Sequence, residues 1–386
     1  MSNFLYHHLG WHHQFSEMGE LYISFMLRSL GIGIGAIFVP IYLFYLGYSL
    51  TWICIFFLVS TLMRYPVEFL NGHFVSRFGS KHVLTASFLA LIVYFVVLQG
   101  IPYWSGWLWV AAFFLALEMS WYWVARNMHM SQNRSHDHGS RQISQVIILQ
   151  RIAAAIGPLI GGLVGALLGL EFSLLLASLV LVAAAYPLFR TQDYYERKRF
   201  KFRGLKMPYT ALSYLGLQVN SITTLFMWPL FIYLALGAYE SIGFIIAITV
   251  VLGGFITYFI GKLGDKGKNP LLLTLGSIME AITNGLRGLT STFGSVLGVN
   301  LMSDLSAYLI AGPATAIRYD QSDTTDRLNF VLNCQLWAVH GKSIAWMLLV
   351  VFSMAFSTHS ALQAIFIVSA VAALLIPLIS RQKMPI

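Results

Sequence analysis

Apolar runs of about 20 residues, separated by short polar or glycine-containing breaks, recur from residue 21 to the C-terminal end of the chain. The alternating apolar and polar residues of a membrane β-barrel strand are absent. The pattern predicts twelve membrane-spanning helices. Spans 1 to 6 cover 21–46, 51–71, 83–101, 105–125, 142–168 and 172–189. Spans 7 to 12 cover 210–236, 241–261, 270–289, 294–317, 328–355 and 359–380. The longest polar interruption, "RTQDYYERKRFKFRGLK" at 190–206, divides them six and six. The organisation expected is therefore a bundle at 1–189, a basic linker at 190–208 and a second bundle at 209–386. The linker reads as a solvated segment at the membrane surface.

Composition agrees. Of 386 residues, 58% are hydrophobic and only 10% charged, where soluble domains carry about a quarter. The net charge of +9 raises nucleic acid as a partner, but the cations sit in short loops between spans, where topology is set. With the N-terminus inside, 19 of the 24 Lys and Arg fall in inner loops and the C-terminal tail, and the other five lie within spans. The outer loops hold none. Both termini are thus expected in the cytoplasm. The protein reads as a monomeric integral protein of the plasma membrane with no nucleic-acid partner. Cys54 and Cys334 lie in apolar runs, without disulfide or metal-ligand spacing. Residues 1–20 lack the basic start and apolar core of a signal peptide.

The stretch "NGHFVSRFGSKH", 71–82, sets Arg77 and Lys81 in a segment paced by Gly72 and Gly79. Glycines let helix ends approach and turn sharply, and cations favour helix C-termini. An echo, "GKLGDKGK", follows the second span of the second half at 261–268. At an offset of 189 residues, Pro40 falls on Pro229, Gly72 on Gly261, Ser76 on Asp265 and Arg77 on Lys266. That is the mark of an internal repeat.

Two six-helix halves, a basic central loop and a Gly-x-x-x-Asp-Arg-x-Gly-x-Lys type segment between spans 2 and 3 together resemble the major facilitator superfamily. The resemblance implies an all-α membrane protein, with two six-helix pseudo-repeats around a central cavity. In that family spans 1, 4, 7 and 10 line the cavity, and spans 2, 5, 8 and 11 form the moving interface. The segment after span 2 packs span 2 against span 11 on the cytoplasmic side as a latch. Gly72, Arg77, Gly79 and Lys81 match it. Ser76 stands where the family has an acid, and Glu68, a turn before Gly72, is the candidate replacement. The second copy, with Gly261, Asp265 and Lys266, keeps the acid but is one residue shorter. In span 5, "AIGPLIGG" at 155–162 resembles the core of a motif associated with antiporters. Gly157, Pro158, Gly161 and Gly162 match, whereas Ser144 and Ala153 replace its upstream glycines. Physically these residues make a bend and a small-residue face, which ordinary helix packing also uses.

Ionisable residues inside a bilayer cost several kcal/mol unless paired or hydrated, so they mark candidate sites. At about 1.5 Å per residue from the inner ends, Arg28 and Glu118 share one depth, with Arg151 close to it. Asp304 and Lys342 share a second. The expectation is an acid on the fourth helix of each half facing a cation on the fifth. Two readings stay open for Glu118 and Asp304: a proton switch coupled to solute movement, or a permanent ion pair. Arg64 with Glu68, and Glu280 with Arg287, read as structural pairs. Trp121 is either a membrane-belt residue or a ring stacked on solute. Gln150, Gln218, Asn220, Asn284 and His340 are further polar candidates. Pro229 predicts a kink in span 7, and "GIGIG" at 31–35 permits bending in span 1. His7, His8, His12 and His13, and the histidines of 129–139, read as interfacial before metal-binding.

The function expected is proton-coupled efflux of a small organic solute. The alternatives are a facilitator or symporter for a sugar or metabolite, or a non-transporting receptor or scaffold. An enzyme is not indicated. No nucleophile–base or metal set converges, no cofactor is expected, and no glycine-lysine phosphate loop supports ATP-driven pumping.

Overall fold

A computed structural model describes residues 10–133, 139–189, 200–237, 243–245, 248–249, 263 and 267–382. The side chains of 10–20, 131–133, 139–148 and Arg151 are outside that description, as are Gly261, Asp265, Lys266, the histidines at 7, 8, 12 and 13, and most of span 8. The described elements are all helical, and nine of the described helices are long and apolar enough to cross a membrane. The twelve-helix, two-repeat layout is consistent with them.

The first half comprises span 1 at Gly10–Gly35 with Val39–Tyr45, span 2 at Leu50–Phe78, span 3 at Ser80–Leu98, span 4 at Trp107–Asn133, span 5 at Gly139–Leu168 and span 6 at Leu170–Ala185. The second comprises span 7 at Pro208–Ile222 with Trp228–Leu236, span 9 at Asn269–Arg287, span 10 at Phe293–Asp323, span 11 at Arg327–Ala355 and span 12 at Thr358–Ala373. Span 7 is broken by a π turn, Thr223–Met227, directly before Pro229. Proline lacks the N–H that would bond the preceding turn, and the wider turn absorbs the loss. Outward faces carry apolar residues such as Leu167, Leu179 and Val371, each more than half exposed to the surroundings.

Several helices run further toward the linker side than the apolar pattern indicates. Span 2 continues through Gly72 to Phe78, and span 3 begins at Ser80. The break between them is Gly79 alone, with φ 85°, a backbone region open to glycine and strained for other residues. Gly72 is therefore no turn residue. It is a mid-helix notch against which the ring of Phe200 lies. Span 4 extends eight residues beyond its predicted end at 125, and span 10 six beyond 317. Polar residues end an apolar run without ending a helix, because the helix continues past the membrane boundary.

The alternating glycines of span 1 serve close packing. A Cβ on Gly33 would sit 2.9 Å from Pro158 Cδ, and one on Gly157 2.7 Å from both Gly33 Cα and the Leu30 carbonyl. Gly161 meets the Ile34 carbonyl in the same seam, and Gly162 is buried beside it. Gly35 meets Ala177 of span 6, and the Ser173 hydroxyl donates to the Gly161 carbonyl at 2.8 Å. The span 5 motif thus brings two backbones together where side chains would hold them apart. Gly157→Val is expected to destabilise the protein by about 3 kcal/mol, the upper end of ordinary overpacking, because the obstacle is backbone. A thermal-unfolding series in detergent, with surface-facing Gly285→Ala as the control, checks it.

The halves meet at both ends. On the side away from the linker the Thr51 hydroxyl donates to the Ser353 carbonyl at 3.4 Å, joining spans 2 and 11. On the linker side the Tyr319 hydroxyl donates to Asn127 at 3.3 Å, joining spans 10 and 4. Residues 200–206 are no free tether. The Arg203 and Leu205 amides donate to Asn329 and Asn333 of span 11 at 2.9 and 3.0 Å. Phe202 packs edge-on against Phe69, and Phe200 against His73, both on span 2.

Candidate functional site

Between those two closures lies a small cavity lined by Phe57, Ser60, Thr61, Arg64, Leu115, Met119, Ile222, Phe226, Lys342 and Trp346. It combines spans 2 and 4 of the first half with spans 7 and 11 of the second. Its volume is about 20 Å³, room for a water and closed to a larger solute. Phe57 and Trp346 stack at 4.8 Å and 11°, and Phe226 leans on Phe57 at 4.8 Å. These rings cap the cavity on the side away from the linker.

Three charged residues come to one level around it. Arg64 lies 14 residues before the end of its helix at Phe78, Glu118 lies 15 before Asn133, and Lys342 lies 15 after Arg327. Each is about 21–23 Å from a linker-side helix end. Asp304 lies 19 residues before Asp323, about 28 Å in. Asp304 and Lys342 have separate surroundings, Asp304 beside Glu280 and Arg287 and Lys342 beside Arg64, Glu118 and Glu68.

Glu118, 2% exposed, bonds Arg28 of span 1. The Arg28 guanidinium also lies 3.2 Å from the centroid of the Tyr122 ring. The cation facing Glu118 is thus on the first helix. Arg151, on the fifth, has its side chain outside the described residues. Beside this pair, Arg64 Nη2 donates to Glu68 at 2.8 Å and Arg64 Nε to Ser120 at 3.3 Å. Ser120 Oγ and Asn71 Nδ2 donate to the two Glu68 oxygens at 2.9 Å each. Both Glu68 oxygens are committed between spans 2 and 4. Arg77 lies over the Phe78 ring at 5.4 Å, and Lys81 is buried. Lys342 donates to Met119 Sδ at 3.5 Å, within electrostatic reach of Arg64, Glu118 and Glu68.

Asp304 belongs elsewhere. Asn300 Nδ2 donates to it at 3.5 Å, and it faces the Glu280–Arg287 pair. That pair, 3.7 Å apart, sits in a buried polar network inside the second half. Arg287 donates to Asn284 and, at 2.6 Å, to Ser303. Glu280 accepts from Ser306, and Asn284 donates to Asn220 at 2.6 Å. Asn220, a candidate for the solute path, bridges spans 7, 9 and 12 through Asn284 and Ser369. Gln218 packs against Gly341, and Trp121 packs edge-on against Phe74. Neither lines the cavity.

Phe57, Ser60, Thr61, Phe226 and Trp346 escape a reading of the sequence. Aromatic and hydroxyl residues are common in apolar spans, and only the packing of span 2 on span 11 singles these out. The legible clue was Arg64 with Glu68 one turn later.

The family model described as Major Facilitator Superfamily matches residues 21–317. No curated protein sequence matches the chain. Among solved structures, the fucose:proton symporter of E. coli is 12% identical, with a TM-score of 0.65 over 95% of this chain and 98% of that one. A POT family transporter in complex with 5-aminolevulinic acid is 10% identical, with a TM-score of 0.71 over 93% and 95%. A POT family transporter in complex with a thioalcohol-conjugated peptide gives 10% and 0.72 over 95% and 96%.

Proposed function

The chain belongs to the major facilitator superfamily, and from that premise we propose that it is a secondary active transporter whose solute passes the cavity at Arg64, Lys342 and Trp346. One observation carries this reading: the two halves touch above and below a charged cavity, so a solute reaches it only when one closure opens. Opening them in turn is alternating access. We place both termini in the cytoplasm of a plasma-membrane monomer, on the asymmetry of the loop cations. The Tyr319–Asn127 closure then faces the cytoplasm and the Thr51–Ser353 closure faces outward.

Coupling to protons is assigned to Glu118. A proton on its carboxylate discharges the bond to Arg28 and frees spans 1 and 4 to move relative to each other. The span 5 motif favours efflux in exchange for protons. Symport is the second reading, favoured by the fucose:proton symporter among the fold neighbours. Gly79, Arg77 and Lys81, with the copy at Gly261, Asp265 and Lys266, act in this reading as the inner hinge segments, and Gly72 as the notch that seats Phe200. Gly157, Pro158, Gly161 and Gly162 act as the bearing between spans 1 and 5.

The test is a pair of cysteines, Thr51→Cys with Ser353→Cys, in a background with Cys54→Ala and Cys334→Ala. Proteoliposomes under an imposed pH gradient are screened with drugs, sugars, amino acids and carboxylic acids while internal pH is followed. Oxidation is expected to stop solute-dependent proton movement and reduction to restore it. The direction of that movement separates antiport from symport. Unchanged flux in fully cross-linked protein would sink alternating access at this interface.

A further inference from the structure

Among the described residues, the five charged groups around the cavity do not balance. Arg28 and Arg64 bring two positive charges and Lys342 a third when it holds its proton, against two negative ones from Glu68 and Glu118. Both carboxylates are already engaged, Glu118 by Arg28 and Glu68 by Arg64, Ser120 and Asn71. Lys342 is only 9% exposed and lines the cavity, and its one polar contact among the described residues is a thioether sulfur. A thioether is a weak acceptor and no counter-ion. A buried ammonium with no carboxylate in contact is among the costlier arrangements a membrane protein can hold. Arg64, which also lines the cavity, spends Nε and Nη2 on Ser120 and Glu68 and makes no hydrogen bond through Nη1 among the described residues.

We propose that Lys342, with Arg64 beside it, is the anchor for the anionic group of the solute, and that the protein moves small organic monocarboxylates with an apolar body. With Lys342 protonated, one carboxylate brings the sum over the described groups at this level to zero. The rest of the lining selects the body. Phe57, Phe226, Trp346, Leu115 and Ile222 offer apolar surface. Hydroxyls come from Ser60 and Thr61, and Thr61 already donates to the Phe57 carbonyl at 2.8 Å. A sugar would bury several hydroxyls here without partners, at about 1–3 kcal/mol for each unsatisfied group. A planar or branched hydrocarbon would slide between the rings of Phe57 and Trp346 once the halves part. This inference rests on the carrier reading above, since it takes the cavity as the solute site.

The experiment is a charge series on one body: 3-phenylpropanoate, 3-phenylpropanamide and 3-phenylpropylamine, titrated calorimetrically into the full chain in lipid nanodiscs. The carboxylate is expected to bind at least about 10-fold more tightly than the amide or the amine, the worth of a charged hydrogen bond. Lys342→Arg is expected to keep that preference. Lys342→Met is expected to erase it while the protein stays folded and monodisperse. Equal binding of the amide or amine, a preference that survives in Lys342→Met, or binding of none of the three would each overturn the proposal. Loss of pH response in Lys342→Met with the carboxylate preference intact would make Lys342 a proton carrier, and overturn it too. The cysteine lock keeps the two readings apart. If oxidation stops flux but the amine is the species moved, the anion anchor fails and the carrier stands. If oxidised protein transports normally, the carrier reading has failed whatever the cavity binds.

Discussion

Glu118→Gln is expected to abolish solute accumulation driven by a pH gradient while exchange of solute for solute continues. Glutamine copies the size of the protonated carboxyl and can still accept from Arg28, so the bond between spans 1 and 4 loses its charge and keeps a neutral contact. A hydrogen bond to a charged partner is worth about 1.5–3 kcal/mol and a neutral one about 1. The difference is enough to leave the pair permanently in its discharged condition. A carrier that no longer needs a proton to release the pair runs through its cycle without one. Counterflow in proteoliposomes reads the exchange, and a pH-sensitive dye reads the coupling. Glu118→Ala should behave differently. It strands the Arg28 guanidinium in a buried site, and removing one partner of a buried pair costs about 3–5 kcal/mol. Loss of exchange together with stability in the alanine variant, against loss of coupling alone in the glutamine variant, is the expected contrast. If both variants couple normally, Glu118 is a structural residue.

The second large effect is expected far from the cavity. Glu280→Ala leaves Arg287, which is 0% exposed, without its carboxylate inside the second half. The remaining hydrogen-bond partners, Asn284 and Ser303, carry no charge, and Asp304 is left as the carboxylate facing the guanidinium. The Trp228 ring lies 5.4 Å from the guanidinium and offers a cation–π contact, not a counter-ion. Destabilisation of about 3–5 kcal/mol is expected. Replacing both members, Glu280→Ala with Arg287→Met, should recover the part due to the stranded charge and leave the cost of the cavity at the alanine. Unfolding midpoints of the two single variants and the double variant in one detergent complete the cycle. A double variant as unstable as the sum of the singles would show that the network acts through its hydrogen bonds and not through its charges.

The sequence by itself determined the helical class, the number and order of spans, the side that carries the cations and the residues costly enough to matter. Each of these follows from a local rule: a bilayer demands apolar runs of fixed length, and cations collect beside them. The i,i+4 pair of Arg64 and Glu68 and the shared face of Glu280 and Arg287 were legible for the same reason, since one helix holds both partners. The partner of Glu118 was legible only as a depth. Arg28 and Arg151 both suited it, and the approach of span 1 to span 4 brings Arg28 onto it. Asp304 and Lys342 shared a predicted depth because span 10 was read as ending where its apolar run ends. The helix goes on through six polar residues, and Asp304 faces Glu280 and Arg287 inside the second half, away from Lys342.

Tertiary structure alone decided that Phe57, Phe226 and Trp346 cap a cavity, that Asn329 and Asn333 hold the linker, and that Gly33 faces Gly157. Those facts depend on which faces of separate helices meet. In a bilayer almost every face is apolar, so hydropathy says little about which one turns inward. Small residues and buried charges make that choice, and each acts through a partner that lies distant in the chain.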